Sequence, residues 1–321
     1  MFEIVFLGTS ASAPSIHRGL AAQAILAGEY RFLIDCGEGT QRQILRSGIG
    51  FKRLNRILLT HGHLDHLLGL GGLVSTFANW EQMEEIEIWG GKATLDRVSK
   101  LLYGVVLDFE RLPFKISLYD LQKASTFFEH KDFSVTAFPV THRGSGNFGY
   151  MFQQKTHRPF LVEKAEALGV PAGPERGRLV KGESLTLADG RLITPEMVLG
   201  EAVRGVKLVH IGDIGRLDNI REYVQDADAL VIEATFLKEN TEEARAFGHI
   251  TSHEAATLAK EANVSTLLLT HVSRRYRERD IVQEARAVFP NTFVVRDLDH
   301  YVLKRGEPVE KKLASADEDE E

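Results

Sequence analysis

The chain has 321 residues, 43% of them hydrophobic, and a formal net charge of −6, enough to bury a large core as one big domain or two small ones. No apolar run approaches the ~20 residues of a membrane span, and the N-terminus lacks the basic stretch and cleavage site of a signal peptide. The single cysteine, Cys36, excludes an internal disulfide and fits a reducing cytosol, so a cytoplasmic location is expected.

The charge is unevenly spread. Asp317, Glu318, Asp319, Glu320 and Glu321 supply five of the negative charges, so residues 314–321 read as a disordered acidic tail and the body is near neutral. Any nucleic-acid contact must then come from local basic patches.

In chain order, Phe2 to Leu7 is an apolar strand, followed by the small-residue loop Gly8 to Pro14, either an anion-facing nest or an ordinary connection. Ala22 to Ala27 and Tyr30 to Ile34 form a hairpin around Gly28-Glu29. The stretch from Asp35 to Thr40 opens the first helix, with Ile44 and Leu45 on its apolar face. Asp35 either orients a histidine ligand or caps that helix.

The strand Ile57-Leu58-Leu59 then leads into Thr60-His61-Gly62-His63-Leu64-Asp65-His66. His61 and His63, two apart, can converge on one cation, and Asp65 and His66 can face a second. Leu67 to Trp80 reads as a helix, Ile86 to Trp89 as a strand and Leu95 to Leu101 as a helix, with Trp80 and Trp89 in the core. Phe133 to Phe138 alternates as a strand and ends near His142.

From Gln153 to Leu199 the alternation thins and turn residues gather at Gly169 to Pro174. Lys155, Arg158, Lys164, Arg176, Arg178 and Lys181 stand against Glu163, Glu166 and Glu175, which reads as an insertion with a local basic excess. The domain thus comprises residues 1–152 and 200–310, with 153–199 as an inserted arm. The core resumes with strands Lys207 to Ile211, Ala229 to Ile232 and Thr266 to Leu269, which lead into Asp213, Glu233 and His271. A capped helix runs from Ser252 to about Ala262, and Phe293 to Val295 and Tyr301 to Leu303 close the sheet. Functional residues gather where strands of an α/β sheet end, so the joint placement of these polar anchors after separate strands marks one site.

The pattern His-x-His-x-Asp-His, followed by a distant His, Asp and His, resembles the metallo-β-lactamase superfamily. Within it the chain is similar to the ribonuclease Z family of tRNA 3′-processing endonucleases. Phe6-Leu7-Gly8-Thr9, the stretch from Asp35 to Thr40, Gly149-Tyr150, Gly169 to Pro174, Gly182-Glu183 and Leu269-Thr270-His271 carry the likeness. Gly62 and Leu64 stand where that family commonly has Met and Gly.

The resemblance implies a four-layer αββα sandwich and two zinc ions per subunit, with manganese or iron as alternatives. His61, His63 and His142 would hold one ion, Asp65, His66 and His271 the other, and Asp213 would bridge them. It further implies removal of the 3′ trailer from precursor tRNA by two-metal phosphodiester hydrolysis, leaving a 3′-hydroxyl on the tRNA. Asp65 would accept a proton from the attacking water, His249 would supply the leaving oxygen's proton, and Glu233 would orient His249. The insertion corresponds to a flexible arm that, in a homodimer, grips tRNA cut by the other subunit. Arg274, Arg275, Arg277 and Arg279 either face the acceptor stem or form a solvated helix start. Competing readings are a small-molecule phosphodiesterase, arylsulfatase-like enzyme or lactonase, for which the arm has no use, and a non-catalytic RNA-binding protein.

Overall fold

A computed structural model describes residues 1–79, 83–107 and 114–312. Trp80 and the acidic tail lie outside them. The chain divides into two compact units, one formed by Met1–Gln153 with Val206–Glu321 and the other by Gln154–Gly205.

Two sheets carry the first unit. One runs from edge to edge as Glu310–Lys312, His300–Leu303, Phe2–Gly8, Ala22–Ala27, Tyr30–Ile34, Arg56–Leu58, Glu85–Gly90 and Lys115–Asp120. The other runs as Thr292–Val294, Thr266–Thr270, Ala229–Glu233, Lys207–His210, Phe148–Gln154, Phe133–Pro139 and Ser125–Glu129. Strand periodicity of two sends alternate side chains to opposite faces. Thus Ile4 and Phe6 join Phe133, Phe152 and Leu268 in the core between the sheets. Val5 and Leu7 instead meet Leu67, Leu70, Leu73 and Val98 from helices outside the first sheet. Leu267 and Leu269 likewise meet Ala255, Ala259 and Ile281 from helices outside the second. The result is the expected αββα sandwich.

Three features differ from the sequence reading. The helix expected from Leu67 to Trp80 is two helices, Leu64–Leu67 and Leu70–Asn79. They break where Gly69 lies against Gly37, so close that a Cβ on Gly69 would fall 2.0 Å from the Gly37 carbonyl oxygen. The final strands do not share one sheet: Thr292–Val294 edges the second sheet, while His300–Leu303 pairs with the first strand in the other. A turn through Leu298, at φ 69°, carries the chain between the sheets. The strands Lys115–Asp120, Ser125–Glu129 and Phe148–Gln154 were not anticipated. Trp89 is half-buried against the inter-sheet core and stacks on Tyr119, ring centroids 4.1 Å apart.

The second unit has its own small core of Ala165, Val170, Leu179, Leu185, Ile193 and Val198. It extends beyond Leu199 because His157 and Val203 exchange backbone hydrogen bonds, with Gly200 N donating to the Pro159 carbonyl beside them. In the first unit, Gln153 and Lys207 face each other in antiparallel register, so the insertion leaves and re-enters one sheet at adjacent strands.

Phe32 is fully buried between the sheets, edge-on to Phe128 and Phe152 at 5.3 Å each. Phe32→Ala is expected to lower unfolding stability by about 3–5 kcal/mol, as phenylalanine deletions in close-packed cores do. A loss below 1 kcal/mol in denaturant unfolding would contradict this packing.

Candidate metal centre

The strand Arg56–Leu58 ends in a turn that places Thr60 and His61 inside the protein, and His63 then stands at the N-terminal boundary of the helix Leu64–Leu67. Asp35 governs this turn. Its buried carboxylate accepts from Thr60 N at 2.8 Å, Thr60 Oγ1 at 2.7 Å and His66 Nδ1 at 2.7 Å. Of the two readings for Asp35, the histidine-orienting one holds; Gly39 occupies the N-terminal boundary of the helix Thr40–Arg46. Asp35 and His271, at φ 57° and 52°, both adopt the left-handed conformation that costs non-glycine residues energy and is concentrated at functional sites.

Residues from separate strand ends converge here. His61, His63, His142 and Asp213 form one group whose potential ligand atoms all lie within 4.8 Å of one another, and Asp65, His66 and His271 form another. Asp213 stands between them. Its Oδ2 lies 3.6 Å from His61 Nε2 and 3.8 Å from His142 Nε2, while its Oδ1 lies 3.5 Å from His66 Nε2 and 3.2 Å from His271 Nε2. A side chain on Gly212 would strike Thr60, so the close approach of these two loops requires glycine there.

The histidine protons point outward. His61 Nδ1 meets Thr60 Oγ1 at 3.0 Å, and since that hydroxyl already donates to Asp35, it accepts from the imidazole. His142 Nδ1 donates to the Gly248 carbonyl at 2.6 Å, and His271 Nδ1 meets Thr235 Oγ1 at 2.9 Å. Each Nε2 therefore carries a lone pair directed inward, whereas His63 presents Nδ1. His61 Nε2 and Asp213 Oδ1 are buried without a hydrogen-bond partner among the described residues. His66 Nε2 and His271 Nε2 face each other at 3.4 Å, as do His142 Nε2 and His63 Nδ1. Acceptors converging this closely call for positive charge between them, and imidazole with carboxylate suits transition ions such as zinc. The donor set fits a metal centre.

Electrostatics agree. Burial pushes His61, His63 and His142 below the usual histidine range, favouring the neutral, metal-ready form. Burial acts the same way on His66, but Asp213, Asp35 and Asp65 overcome it and push the group up to about 10. Burial would raise Asp65, yet His271 and His66 beside it hold it well below the usual carboxylate range. Without metal, then, a proton on His66 helps to balance the carboxylates, and a cation would displace it.

His249 and Glu233 adjoin this cluster. His249 Nδ1 donates to the fully buried Glu233 carboxylate at 2.9 and 3.0 Å, and its ring lies 5.1 Å from His142 and 5.7 Å from His271. Burial disfavours the His249 cation, but Glu233 outweighs it and pushes the group up to about 9. Glu233 also accepts from Ile214 N at 2.7 Å, tying His249 to the loop that carries Asp213.

Other predicted contact residues divide. Arg275 is held in a bidentate pair with Glu243 at 2.7 and 2.8 Å, so it buttresses the 236–243 segment rather than presenting a bare guanidinium. Arg279 pairs with Asp280, while Arg274 and Arg277 are exposed. In the insertion, Arg158 donates to the Gly200 and Leu199 carbonyls, Arg176 donates to the Val170 carbonyl and lies over Phe160, and Arg178 pairs with Glu183. Lys155, Lys164 and Lys181 are exposed. Sequence reasoning missed Thr60, Thr235, the Gly248 carbonyl and Ser12, whose amide donates to Asp65 Oδ2 at 3.0 Å. Thr60 and Thr235 sit beside predicted anchors and were within reach; a carbonyl and an amide carry no side-chain signal.

The αββα layers and the strand-end His/Asp cluster define a hydrolase domain of the metallo-β-lactamase type, and the profile of the beta-lactamase superfamily domain matches residues 30–198 and 180–272. Ribonuclease Z of Bradyrhizobium diazoefficiens is 47% identical over 303 residues, covering 94% of this chain and 100% of that protein. Ribonuclease Z of Archaeoglobus fulgidus is 38% identical over 301 residues, covering 92% and 96%. The chain belongs to the ribonuclease Z family. The crystal structure of human tRNase Z, short form, shares the fold with TM-score 0.66 at 24% identity, covering 93% of this chain and 98% of that one.

Asp35→Asn removes the anionic acceptor of His66 without changing shape. Metal affinity is expected to fall about 10–100-fold, the usual effect of losing a ligand's hydrogen-bond partner. Competition with a chromogenic chelator measures this, and unchanged affinity would refute the orienting role.

Proposed function

We propose that this protein removes 3′ trailers from precursor tRNA by metal-dependent phosphodiester hydrolysis, with two zinc ions, or manganese or iron in their place. The observation that carries this reading is the adjacency of the inward-facing ligand cluster to the His249–Glu233 pair. His61, His63 and His142 would hold one ion and Asp65, His66 and His271 the other, with the two oxygens of Asp213 divided between them. Ions held there supply Lewis acidity, polarising the phosphodiester and acidifying a water nucleophile.

The chain's own groups do the rest. Asp65, whose carboxylate is kept ionised by His271 and His66, would accept a proton from the attacking water. His249, kept protonated by Glu233 at its Nδ1, has Nε2 free to donate a proton to the departing 3′ oxygen. The insertion Gln154–Gly205, with exposed Lys155, Lys164, Arg178 and Lys181, serves as an arm for tRNA phosphates, acting across a homodimer. A cytoplasmic site of action, where precursor transcripts are found, belongs to the same reading.

His249→Ala should slow precursor cleavage by ~10²–10⁴-fold, the usual contribution of general acid catalysis. A nitrophenyl phosphodiester, whose leaving group needs no protonation, should suffer far less; equal losses on both would remove the general-acid role. Glu233→Gln withdraws the anion that raises His249. A general acid works below its pKa, so the alkaline fall of the pH–rate profile should move to lower pH, and an unmoved limb would contradict the assignment. Joining Gln153 to Val206 through a short linker deletes the arm. Nitrophenyl ester hydrolysis should persist, while tRNA binding weakens and its salt dependence flattens. Undiminished tRNA processing by the deletion variant at moderate salt would rule out the arm's role.

A further inference from the structure

A column of flat groups borders the cluster. The Arg143 guanidinium lies 5.2 Å over the Phe247 ring. Phe247 is parallel to Phe236 within 10°, centroids 6.3 Å apart, and the Arg275 guanidinium lies 5.5 Å over Phe236. Phe236 is in turn 6.0 Å from the His249 ring. Isolated exposed apolar residues need no explanation, but this one is not isolated. Phe247 is 46% exposed while Phe236 is 7% exposed, so of the two rings it is Phe247, under Arg143, that reaches the surface.

The column is also anchored at both ends. Arg143 donates to the Ala246 carbonyl at 2.6 Å, and Arg275 is fixed by Glu243. Gly248 and His249, which follow Phe247 directly, hold His142 and serve as the proposed acid. A rigid, partly exposed aromatic–guanidinium surface two residues from the group that protonates a leaving oxygen suits an unpaired nucleobase. Single-stranded RNA is recognised by stacking splayed bases on aromatic rings and arginine planes.

We infer that the Phe247–Arg143 end of this column seats the base of the nucleotide whose 3′ oxygen departs, the last one retained on the RNA. This rests on the precursor-cleaving reading above. The base of the first trailer nucleotide, on the far side of the scissile phosphate, is inferred to make no contact with the column. Stacking by one base contributes a factor of roughly 5 to 160 in binding, and it holds the phosphodiester in register with His249.

The experiment uses three otherwise identical precursors: intact, abasic at the last retained nucleotide, and abasic at the first trailer nucleotide. For the parent protein, kcat/KM should fall about tenfold with the upstream abasic residue. In Phe247→Ala the intact precursor should lose a similar factor, mainly in KM, and the intact-to-upstream-abasic ratio should collapse towards one. Phe247→Trp should keep the ratio. The ratio does not depend on how much of a variant is folded, and Phe247→Leu replaces Phe247→Ala if the latter fails to fold. A parent-like ratio in the aliphatic variants, or a collapse with the downstream abasic precursor instead, would overturn this inference alone. Failure of the parent to cut the intact precursor would overturn the functional reading and this inference with it.

Discussion

One buried carboxylate underlies the site. Asp35 is removed from water and held by three donors, and an anion in that position is tolerable only because each donor is supplied. Those same bonds aim the turn. Thr60, fixed at its amide and hydroxyl, presents an acceptor to His61, while His66 gives up its Nδ1 proton direction and turns Nε2 inward. The charge matters as much as the geometry, since it favours positive charge at His66 in the absence of metal. The backbone at this same residue is left-handed, at φ 57°.

The other residues of the cluster come from distant parts of the chain, and the sandwich brings them together. The strands Arg56–Leu58 of one sheet and Lys207–His210, Ala229–Glu233 and Thr266–Thr270 of the other all carry a polar residue at or just past their ends. Their interiors are occupied by apolar side chains on both faces, so chemistry is confined to the rim. Within the rim, Asp213 and Glu233 divide the work. Asp213 gives one oxygen to each ligand group, whereas Glu233 secures both the Asp213 loop and His249. The placement of His249 and of the Asp213 loop thus depends on one carboxylate.

Sequence alone carried the ligand cluster because three histidines and an aspartate in six residues after an apolar run have few other uses. Single residues such as His142 or Asp213 gained meaning only from repetition of the strand-end pattern. The Leu67–Trp80 stretch misled because its apolar spacing is helical throughout; the break comes from backbone contact at Gly69, a long-range constraint invisible to periodicity. Sheet membership of the last two strands was equally hidden, since both are short apolar runs and only the turn at Leu298 separates them. Arg275 was legible as a charge near His271, but its partner Glu243 is remote in sequence, so its structural commitment was not.

The register of Gln153 opposite Lys207 bears on how the chain folds. Closing a loop costs entropy that grows only with the logarithm of its length. The two strands flanking the insertion can therefore meet whether the segment between them is ordered or still a coil, at nearly the same cost. Because Gln154–Gly205 has its own apolar cluster, its ordering need not precede or wait for that of the sandwich. Such a segment can change length or composition with little penalty to the rest of the molecule, which makes it the part of this chain most open to evolutionary revision.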